Sequence, residues 1–364
     1  MGKNKIGFQF FADAGTLANA TGNYVNAYTG QTTAFDTTNK LTPTMKTFYD
    51  TQLLENARPE LIFAQLAKKQ ALPRNHGKSV EWRKWNTLPE AETLTEGVIP
   101  TGQKLGMSSM TQDIVQKGLY VTITDQLELH AIDNAILGAT EELGASGGMS
   151  IDKMVRNEVI SGTVKQLCDK VNATTGAHTE VTKRGDMDTT SVLTPTEINK
   201  AVTTLKKMHA PTINGKYVAV IHPSVAYDLR QSKEWIEAHK YAAATEMFNG
   251  EIGELHGVRF IESTNQKIWN DSTCPVKTAA ADSKPAVYYS VYATLVMGKD
   301  AFAMIDPDGG TMEMIVKTKD EAGGPLNQFS TVGYKYEGAA KILYEDRMVR
   351  IESLSAYSAV DDAN

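Results

Sequence analysis

Residues 217–264 read YVAVIHPSVAYDLRQSKEWIEAHKYAAATEMFNGEIGELHGVRFIEST, with clear signals for strands, turns and helices in close succession. Tyr217–Ile221 is almost wholly apolar and β-branched, which is typical of a strand buried on both faces. His222 ends that strand, and Pro223 opens a helix, because a proline lacks only an N–H that would be unpaired there. A helix through Trp235 and a strand at 258–261 follow. The stretch predicts a compact unit of alternating strands and helices.

Length and composition set the first limits. A chain of 364 residues exceeds what one hydrophobic core usually supports, so we expect two or more lobes. No apolar run reaches the roughly 18 residues that span a bilayer, and we expect a protein that is cytosolic when made. The net charge of −6 argues against binding to nucleic acid backbones, which requires clustered Lys and Arg. Cys168 and Cys274 show no metal-ligand spacing, which favours buried or incidental thiols.

The N-terminal segment, residues 1–57, begins with a polar ribbon that carries isolated aromatic residues. It cannot bury enough surface to fold alone, so a disordered tail is one interpretation. An arm that lies in grooves of other subunits is the alternative, because aromatic side chains on a polar ribbon suit that role. From residue 44 to 72, apolar residues at helical spacing predict two short helices on either side of Arg58 and Pro59.

Residues 73–118 predict a long two-stranded hairpin, because Val80 and Trp82 alternate with charged residues and a stretch rich in Pro and Gly follows. Such a hairpin has little core of its own and must rest on something else. A flap over its own domain is one interpretation of the residues.

A helix is predicted to begin at Asp125, where Glu128 completes a pattern like a capping box. Apolar residues near helical period continue to Leu167, so an unbroken helix to Val171 would measure roughly 70 Å. Three glycines on the apolar stripe favour a kink or break near Ser146 and are hinge candidates: Gly144, Gly147 and Gly148. They also argue against a coiled coil.

The second half of the chain predicts one more helix and several strands. Thr194, Pro195 and Glu197 predict a capped helix, and apolar strands are expected at 287–296, at 312–316 and around 343–351. We expect the last two, with a strand near Tyr334, to pair with each other against the long helix. The final residues, 359–364, are expected to be frayed.

The strand, the HP turn, the helix with Leu229 and Arg230, and the GEIG and HGVRF segments resemble the central part of a tailed-phage major capsid protein of the podovirus type, with the Hong Kong ninety-seven type shell fold. The segment 331–353, TVGYKYEGAAKILYEDRMVRIES, adds to the resemblance. The fold implied is α+β with a spine helix, and the resemblance implies that the hairpin is an extended loop over a neighbouring subunit rather than a flap over its own domain. The implied division is an N-terminal arm (1–57), a peripheral helix (58–72), an extended hairpin loop (73–118), a peripheral domain with the spine helix (119–192), an axial domain (193–309), peripheral strands (310–358) and a tail (359–364).

The sequence carries no recognisable catalytic or metal-binding motif. HExxH, a P-loop, a dinucleotide fingerprint and a hydrolase elbow are all missing, and the histidines at 209, 222, 239 and 256 form no ligand spacing. Residues 306–310 lack the ligand spacing of a calcium loop. We therefore predict no catalytic, cofactor or metal site and no enzyme.

The function implied by the resemblance is a structural subunit that self-assembles into hexamers and pentamers of an icosahedral head, a virion component that encloses double-stranded DNA without binding a specific sequence and is assembled in the host bacterial cytoplasm. Implied partners are copies of itself, a separate scaffolding protein, a portal and a decoration protein, with no membrane. The alternative is the shell protein of a bacterial nanocompartment that encloses an enzyme. Candidate contacts between subunits are Phe10, Phe11, Tyr24, Tyr28, Trp82, Trp85, Pro89 and Pro100. Whether subunits become cross-linked stays open.

Overall fold

The computed structural model describes residues 19–20, 23–25, 32–34, 62–72, 78–86, 88–91, 93, 96–97, 99, 102–130, 135–172, 174–239, 251–279, 286–307, 312–322 and 326–364. The helices are α1 (Phe63–Leu66), α2 (Asp125–His130), α3 (Ala135–Ile160), α4 (Pro195–Lys207), α5 (Pro223–Gln231), α6 (Lys233–His239) and α7 (Lys319–Ala322). No helix in these ranges is long and apolar enough to cross a membrane.

The first eleven strands are β1 (Asn19–Ala20), β2 (Asn23–Val25), β3 (Thr32–Ala34), β4 (Lys68–Leu72), β5 (Ser79–Trp85), β6 (Met107–Asp113), β7 (Val115–Thr124), β8 (Lys165–Leu167), β9 (Lys170–Val171), β10 (His178–Thr179) and β11 (Tyr217–Ile221). The next eleven are β12 (Glu251–Leu255), β13 (Val258–Glu262), β14 (Ile268–Trp269), β15 (Val276–Thr278), β16 (Val287–Tyr288), β17 (Val291–Met297), β18 (Phe302–Pro307), β19 (Met312–Lys317), β20 (Phe329–Gly338), β21 (Ala340–Ile342) and β22 (Met348–Ser353). The fold is therefore mixed α+β, as predicted.

A seven-stranded sheet forms the centre of one lobe, with strand order β12-β13-β11-β17-β22-β8 and β14 beside β17. Strand β11 runs parallel to β13 and antiparallel to β17, and all five of its residues are buried. Helices α4 and α5 pack on this sheet through Ile198, Leu205 and Leu229. The predicted strand, HP turn and helix are confirmed: α5 begins at Pro223, and the Nδ1 of His222 accepts a hydrogen bond from the N–H of Ser224 at 3.2 Å.

A second core lies between α3 and a four-stranded sheet with the order β1-β7-β20-β19. Strand β20 pairs antiparallel with β7 along ten residues, from Val115 opposite Gly338 to Thr124 opposite Phe329. Val155 and Val159 of α3 are fully buried in this core. The prediction that strands near 312–316 and 334 pair against the long helix is confirmed.

The prediction that β22 joins those strands is wrong. It lies antiparallel to β17 and parallel to β8 in the seven-stranded sheet. Conversely, β18 leaves that lobe and forms a three-stranded sheet with β21 and β4. Both errors concern pairings between strands distant in sequence, for which periodicity carries no information.

The predicted break near Ser146 is also wrong. Helix α3 is continuous through all three glycines over 26 residues, about 39 Å, and it ends at Ile160 rather than at Val171. A Cβ on Gly147 would lie 2.7 Å from the Cε and 3.0 Å from the Sδ of Met312, and 3.4 Å from a ring carbon of Tyr334. The glycine therefore lets the helix approach the sheet closely. Whether any of the three glycines acts as a hinge stays a prediction.

Two local predictions near helix ends are only partly right. Residues 63–66 form the single turn α1, but the chain then extends into β4, and the helix predicted from residue 44 lies outside the described residues. Helix α4 starts at Pro195 as predicted, yet Thr194 makes no side-chain cap. Glu197 instead accepts hydrogen bonds from Gln166 and Lys200.

The C-terminal tail is docked, not frayed. The hydroxyl of Tyr292 donates to the Asp361 carboxylate, and Ser290 donates its backbone N–H to the carbonyl of Ala359 at 3.1 Å. The Asn364 amide accepts from the N–H of Ile268 at 3.1 Å. These bonds tie residues 359–364 to the seven-stranded sheet.

Candidate assembly surfaces

The extended hairpin is anchored at its base. Strands β5 and β6 pair antiparallel from Ser79 opposite Asp113 to Trp85 opposite Met107, which confirms the predicted hairpin. The base packs on β18 and the segment around β21 through a small core: Val80, Trp82, Ile114, Ala303, Ile305, Ala339 and Leu343. Trp82 is therefore buried in its own chain and does not offer its ring as a contact to another molecule in this conformation.

The far end of the hairpin is apolar and exposed. Trp85 is 64% exposed and Ile99 is 93% exposed, and Leu88, Leu105 and Met107 are exposed as well. Pro89 is also exposed, whereas Pro100 lies outside the described residues. Several large exposed apolar side chains at the end of an anchored element favour an interaction surface. We call residues 85–107 the hairpin tip. The sequence analysis named Trp85 and Pro89 as contacts but not Leu88, Ile99 and Leu105. Their signal in the sequence is that each is one of the few aliphatic residues within a polar stretch.

Only fragments of the arm are described. Tyr24 lies in β2, which pairs with β3, and the arm touches the main body through β1, where Asn19 lies opposite Ile123 and Ala20 opposite Thr122. Phe10, Phe11 and Tyr28 lie outside the described residues.

A buried carboxylate fixes the point where the arm joins the body. One oxygen of Asp152 accepts hydrogen bonds from the backbone N–H groups of Phe63, at 2.7 Å, and Ala64, at 3.3 Å. Its other oxygen accepts from the Asn265 amide at 3.0 Å. Burial raises the pKa of Asp152, although these hydrogen bonds oppose the shift. One side chain of α3 therefore holds α1, which follows the arm, and a loop of the other lobe.

The fold brings together three possible metal ligands that the sequence motifs did not reveal. Ligand atoms of Asp169, His178 and Glu197 lie within 4.8 Å of one another beside a groove of about 830 Å³. The Lys200 ammonium contacts the Asp169 carboxylate and lies 2.9 Å from Glu197, so a protein cation already pairs with both acids and offsets one of their two negative charges. Burial lowers the pKa of Lys200, but its hydrogen bonds to the two acids outweigh burial and raise it overall.

The pKa shifts of Lys200 and of the two cysteines are typical of structural groups, not of reactive ones. A lysine whose pKa is raised stays protonated at neutral pH and is a poor base or nucleophile. Burial also raises the pKa of the Cys168 thiol well above its ordinary value, and that of Cys274. Both thiols are free and buried, as predicted, and their raised pKa values disfavour the thiolate form that reacts or binds metal.

The comparisons with known proteins agree with this architecture. The family described as "Phage capsid protein" matches residues 109–351, more than half of the chain. The capsid of the cyanophage P-SCSP1u has a TM-score of 0.55 at 15% identity, over 83% of this chain and 89% of that one. The capsid of Ralstonia phage GP4 has a TM-score of 0.57 at 14% identity, over 82% and 89%. A chain of Mycobacterium phage Che8 has a TM-score of 0.52 at 14% identity, over 80% and 90%. No curated protein sequence matches the chain significantly.

The fold and the exposed extensions define a structural subunit of a closed shell. The chain belongs to the phage capsid protein family. It is a major capsid protein, a component of the virion that self-assembles into the head shell. The nanocompartment alternative is not favoured.

Proposed function

We propose that the chain forms hexamers and pentamers of an icosahedral head around double-stranded DNA, and that the hairpin tip carries the contact between neighbouring subunits. The observation that supports this most directly is the contrast within the hairpin: its base is packed in its own chain, and its tip exposes Trp85 and Ile99. Burying the apolar tip against a neighbour would stabilise the assembly by about 25 cal/mol per Å² of apolar surface removed from water.

Arm residues 1–57 are proposed as a second contact, with Phe10, Phe11, Tyr24 and Tyr28 as its aromatic anchors. Several modest contacts linked in one subunit reinforce each other through effective concentration, so no single interface has to be tight. The net charge of −6 suits a container wall that weakly repels its nucleic acid.

The proposed partners are a separate scaffolding protein, a portal and a decoration protein, and assembly is proposed to occur in the host bacterial cytoplasm. We further propose that the chain has no catalytic activity. The protonated Lys200 and the two buried thiols support that view, because none of them is poised for acid-base or nucleophilic chemistry.

The test is expression of the chain, alone and with its neighbouring genes, followed by negative-stain electron microscopy and light scattering. Closed shells, or discrete hexamers and pentamers, are the expected products. A persistent monomer or dimer under both conditions would overturn the proposal. Closed, uniform shells from the chain alone would remove the need for a scaffolding protein.

The role of the tip is tested with a charged pair of substitutions, Trp85→Lys with Leu105→Lys. We expect subunits that fold but no longer form capsomers, because a charge cannot be buried unpaired at low cost. The matched control is Lys104→Ala, an exposed polar neighbour in the same loop. Assembly of the double variant at the level of the control would show that the tip is not an interface.

A further inference from the structure

The cluster of Asp169, His178 and Glu197 lies where three elements of the chain meet. Asp169 directly precedes β9, and the antiparallel pairing of β9 with β10 places His178 opposite Val171. Glu197 belongs to the first turn of α4. One ligand atom from each of the three side chains lies within 4.8 Å of the others. An ion bound to all three would therefore join the paired strands β9 and β10 to α4.

The Glu197 carboxylate is buried and is held in place by a neighbouring amide. Its Oε2 accepts a hydrogen bond from the side-chain amide of Gln166 at 2.7 Å, and the same amide donates to the Glu197 carbonyl at 2.9 Å. The other oxygen, Oε1, faces the Lys200 ammonium. Hydrogen bonds from residues behind a metal site orient its carboxylate ligands in this way. One ligand of the cluster is therefore already oriented.

A cation already lies between the two carboxylates. The Lys200 ammonium contacts Oδ2 of Asp169 and lies 2.9 Å from Oε1 of Glu197, so the arrangement accommodates positive charge where a metal ion would lie. The Lys200 side chain is 44% exposed and lines the adjacent groove, so it can turn into solvent without repacking the core. One ammonium offsets one of the two negative charges, whereas a divalent cation offsets both.

The imidazole of His178 distinguishes this cluster from a simple pair of acids. Its Nδ1 lies 3.9 Å from Oδ2 of Asp169, and it makes no hydrogen bond within the part of the chain that the structure describes. Ligand atoms about 2.0–2.1 Å from a tetrahedral zinc ion are roughly 3.3 Å apart. The cluster must therefore contract by about 1–1.5 Å to bind such an ion, which rotation of the exposed His178 side chain can supply.

We propose that Asp169, His178 and Glu197 bind one zinc ion, with Lys200 displaced into the groove. One imidazole nitrogen with two carboxylate oxygens suits Zn²⁺, whereas Mg²⁺ and Ca²⁺ prefer oxygen ligands alone. Three protein ligands leave a fourth position for a water molecule from the groove. The ion ties β9 and β10 to α4 within one subunit, so the inference does not depend on the proposed assembly.

The test is isothermal titration calorimetry of the purified full chain, without an affinity tag, after removal of metal by a chelator. Zinc chloride is added at about pH 7.5, because zinc binds the unprotonated forms of its ligands. The wild type is expected to bind one ion per chain. Lys200→Ala removes the competing cation and is expected to bind zinc about tenfold more tightly. His178→Ala removes a ligand and is expected to bind about tenfold more weakly or not at all.

The matched control is His256→Asn, which removes an exposed histidine outside the cluster. His256 has a φ of 52°, a backbone conformation that asparagine tolerates. This variant is expected to bind zinc like the wild type. Three outcomes would overturn the inference: Lys200→Ala binds no more tightly than the wild type, His178→Ala binds as well as His256→Asn, or no protein in the series binds one ion per chain.

If Lys200→Ala does not fold, the visible absorption of Co²⁺, used in place of zinc, decides among the other three proteins. The bands of tetrahedral cobalt are expected in the wild type and in His256→Asn but not in His178→Ala. Because His178 is exposed, its replacement leaves the core intact, and circular dichroism checks this. Equal spectra from all three proteins would reject the site, whatever the outcome of the assembly experiments.

Discussion

The Glu352 carboxylate is 1% exposed and accepts two hydrogen bonds from the Arg184 guanidinium, at 2.7 and 2.9 Å. Arg350 donates a third hydrogen bond to Glu352 at 3.0 Å, and the Arg184 guanidinium lies 4.0 Å from the centre of the Trp269 ring. Strand β22 is thereby fixed to the loop that precedes α4. Removing the arginine would leave the buried Glu352 carboxylate with fewer hydrogen bonds. The free-energy cost of keeping that charge out of water would then be only partly offset.

Arg184→Ala is therefore expected to lower the free energy of unfolding by about 2–4 kcal/mol, less than for a wholly unpaired acid because Arg350 remains. The measurement is urea denaturation of unassembled subunits. The matched control is Arg230→Ala, which removes an ion pair to Glu262 of the same 2.7 Å length at the surface. That change is expected to cost less than about 1 kcal/mol. If both variants lost the same free energy of unfolding, burial would not determine how much an ion pair contributes to stability.

The environment of Asp152 predicts how the stability of the subunit depends on pH. Burial raises its pKa above the ordinary value of 3.8, so the folded chain binds this proton more readily than the unfolded chain. The contribution of this group to stability therefore increases as the pH falls through the raised pKa towards 3.8, and it decreases as the pH rises back through that window. In Asp152→Asn the contribution is absent.

The measurement is the difference in unfolding free energy between the wild type and Asp152→Asn at several pH values, in which other titrating groups cancel. The difference should shift in favour of the wild type as the pH is lowered. A pH-independent difference, or a shift of opposite sign, would show that the carboxylate is not held in a desolvating site.

The docked tail makes a third prediction. Tyr292→Phe removes the hydroxyl that donates to Asp361, and the tail should be released more often, at a cost of about 1–2 kcal/mol. Carboxypeptidase digestion of the folded subunit should then be faster. Tyr357→Phe is the control, since Tyr357 is 68% exposed, and digestion of that variant should match the wild type. Unchanged digestion of Tyr292→Phe would mean that the other tail contacts suffice.

Features that depend on residues close together in the sequence were predictable, and features that depend on distant residues were not. The strand before His222 and the helix from Pro223 were predictable because proline chemistry and burial act on adjacent residues. The docking of the tail was not, because Tyr292 and Asp361 are 69 positions apart. The assignment of β22 failed for the same reason.

The candidate surfaces divide in the same way. The hairpin and Trp85 were predictable from strand alternation and composition. The burial of Trp82 was not, because it depends on β18 and β21, far along the chain. The cluster of Asp169, His178 and Glu197 had no motif, since its members meet only after β9, β10 and α4 have assembled.

The last prediction concerns two glycines of α3. Substituting each by alanine distinguishes the effect of helix propensity from the effect of packing. Gly138 is exposed, and a Cβ there would meet nothing within 4 Å, so Gly138→Ala should stabilise the subunit by about 0.5–1 kcal/mol through helix propensity. Gly147→Ala gains the same propensity but pushes a methyl group against Met312 and Tyr334. Overpacking of this kind costs about 1–3 kcal/mol, so the variant should be neutral or destabilised. Thermal unfolding of both variants, compared with the wild type, measures the difference. Equal stabilisation by the two substitutions would show that the end of the Met312 side chain, or α3 itself, shifts to accommodate the methyl group.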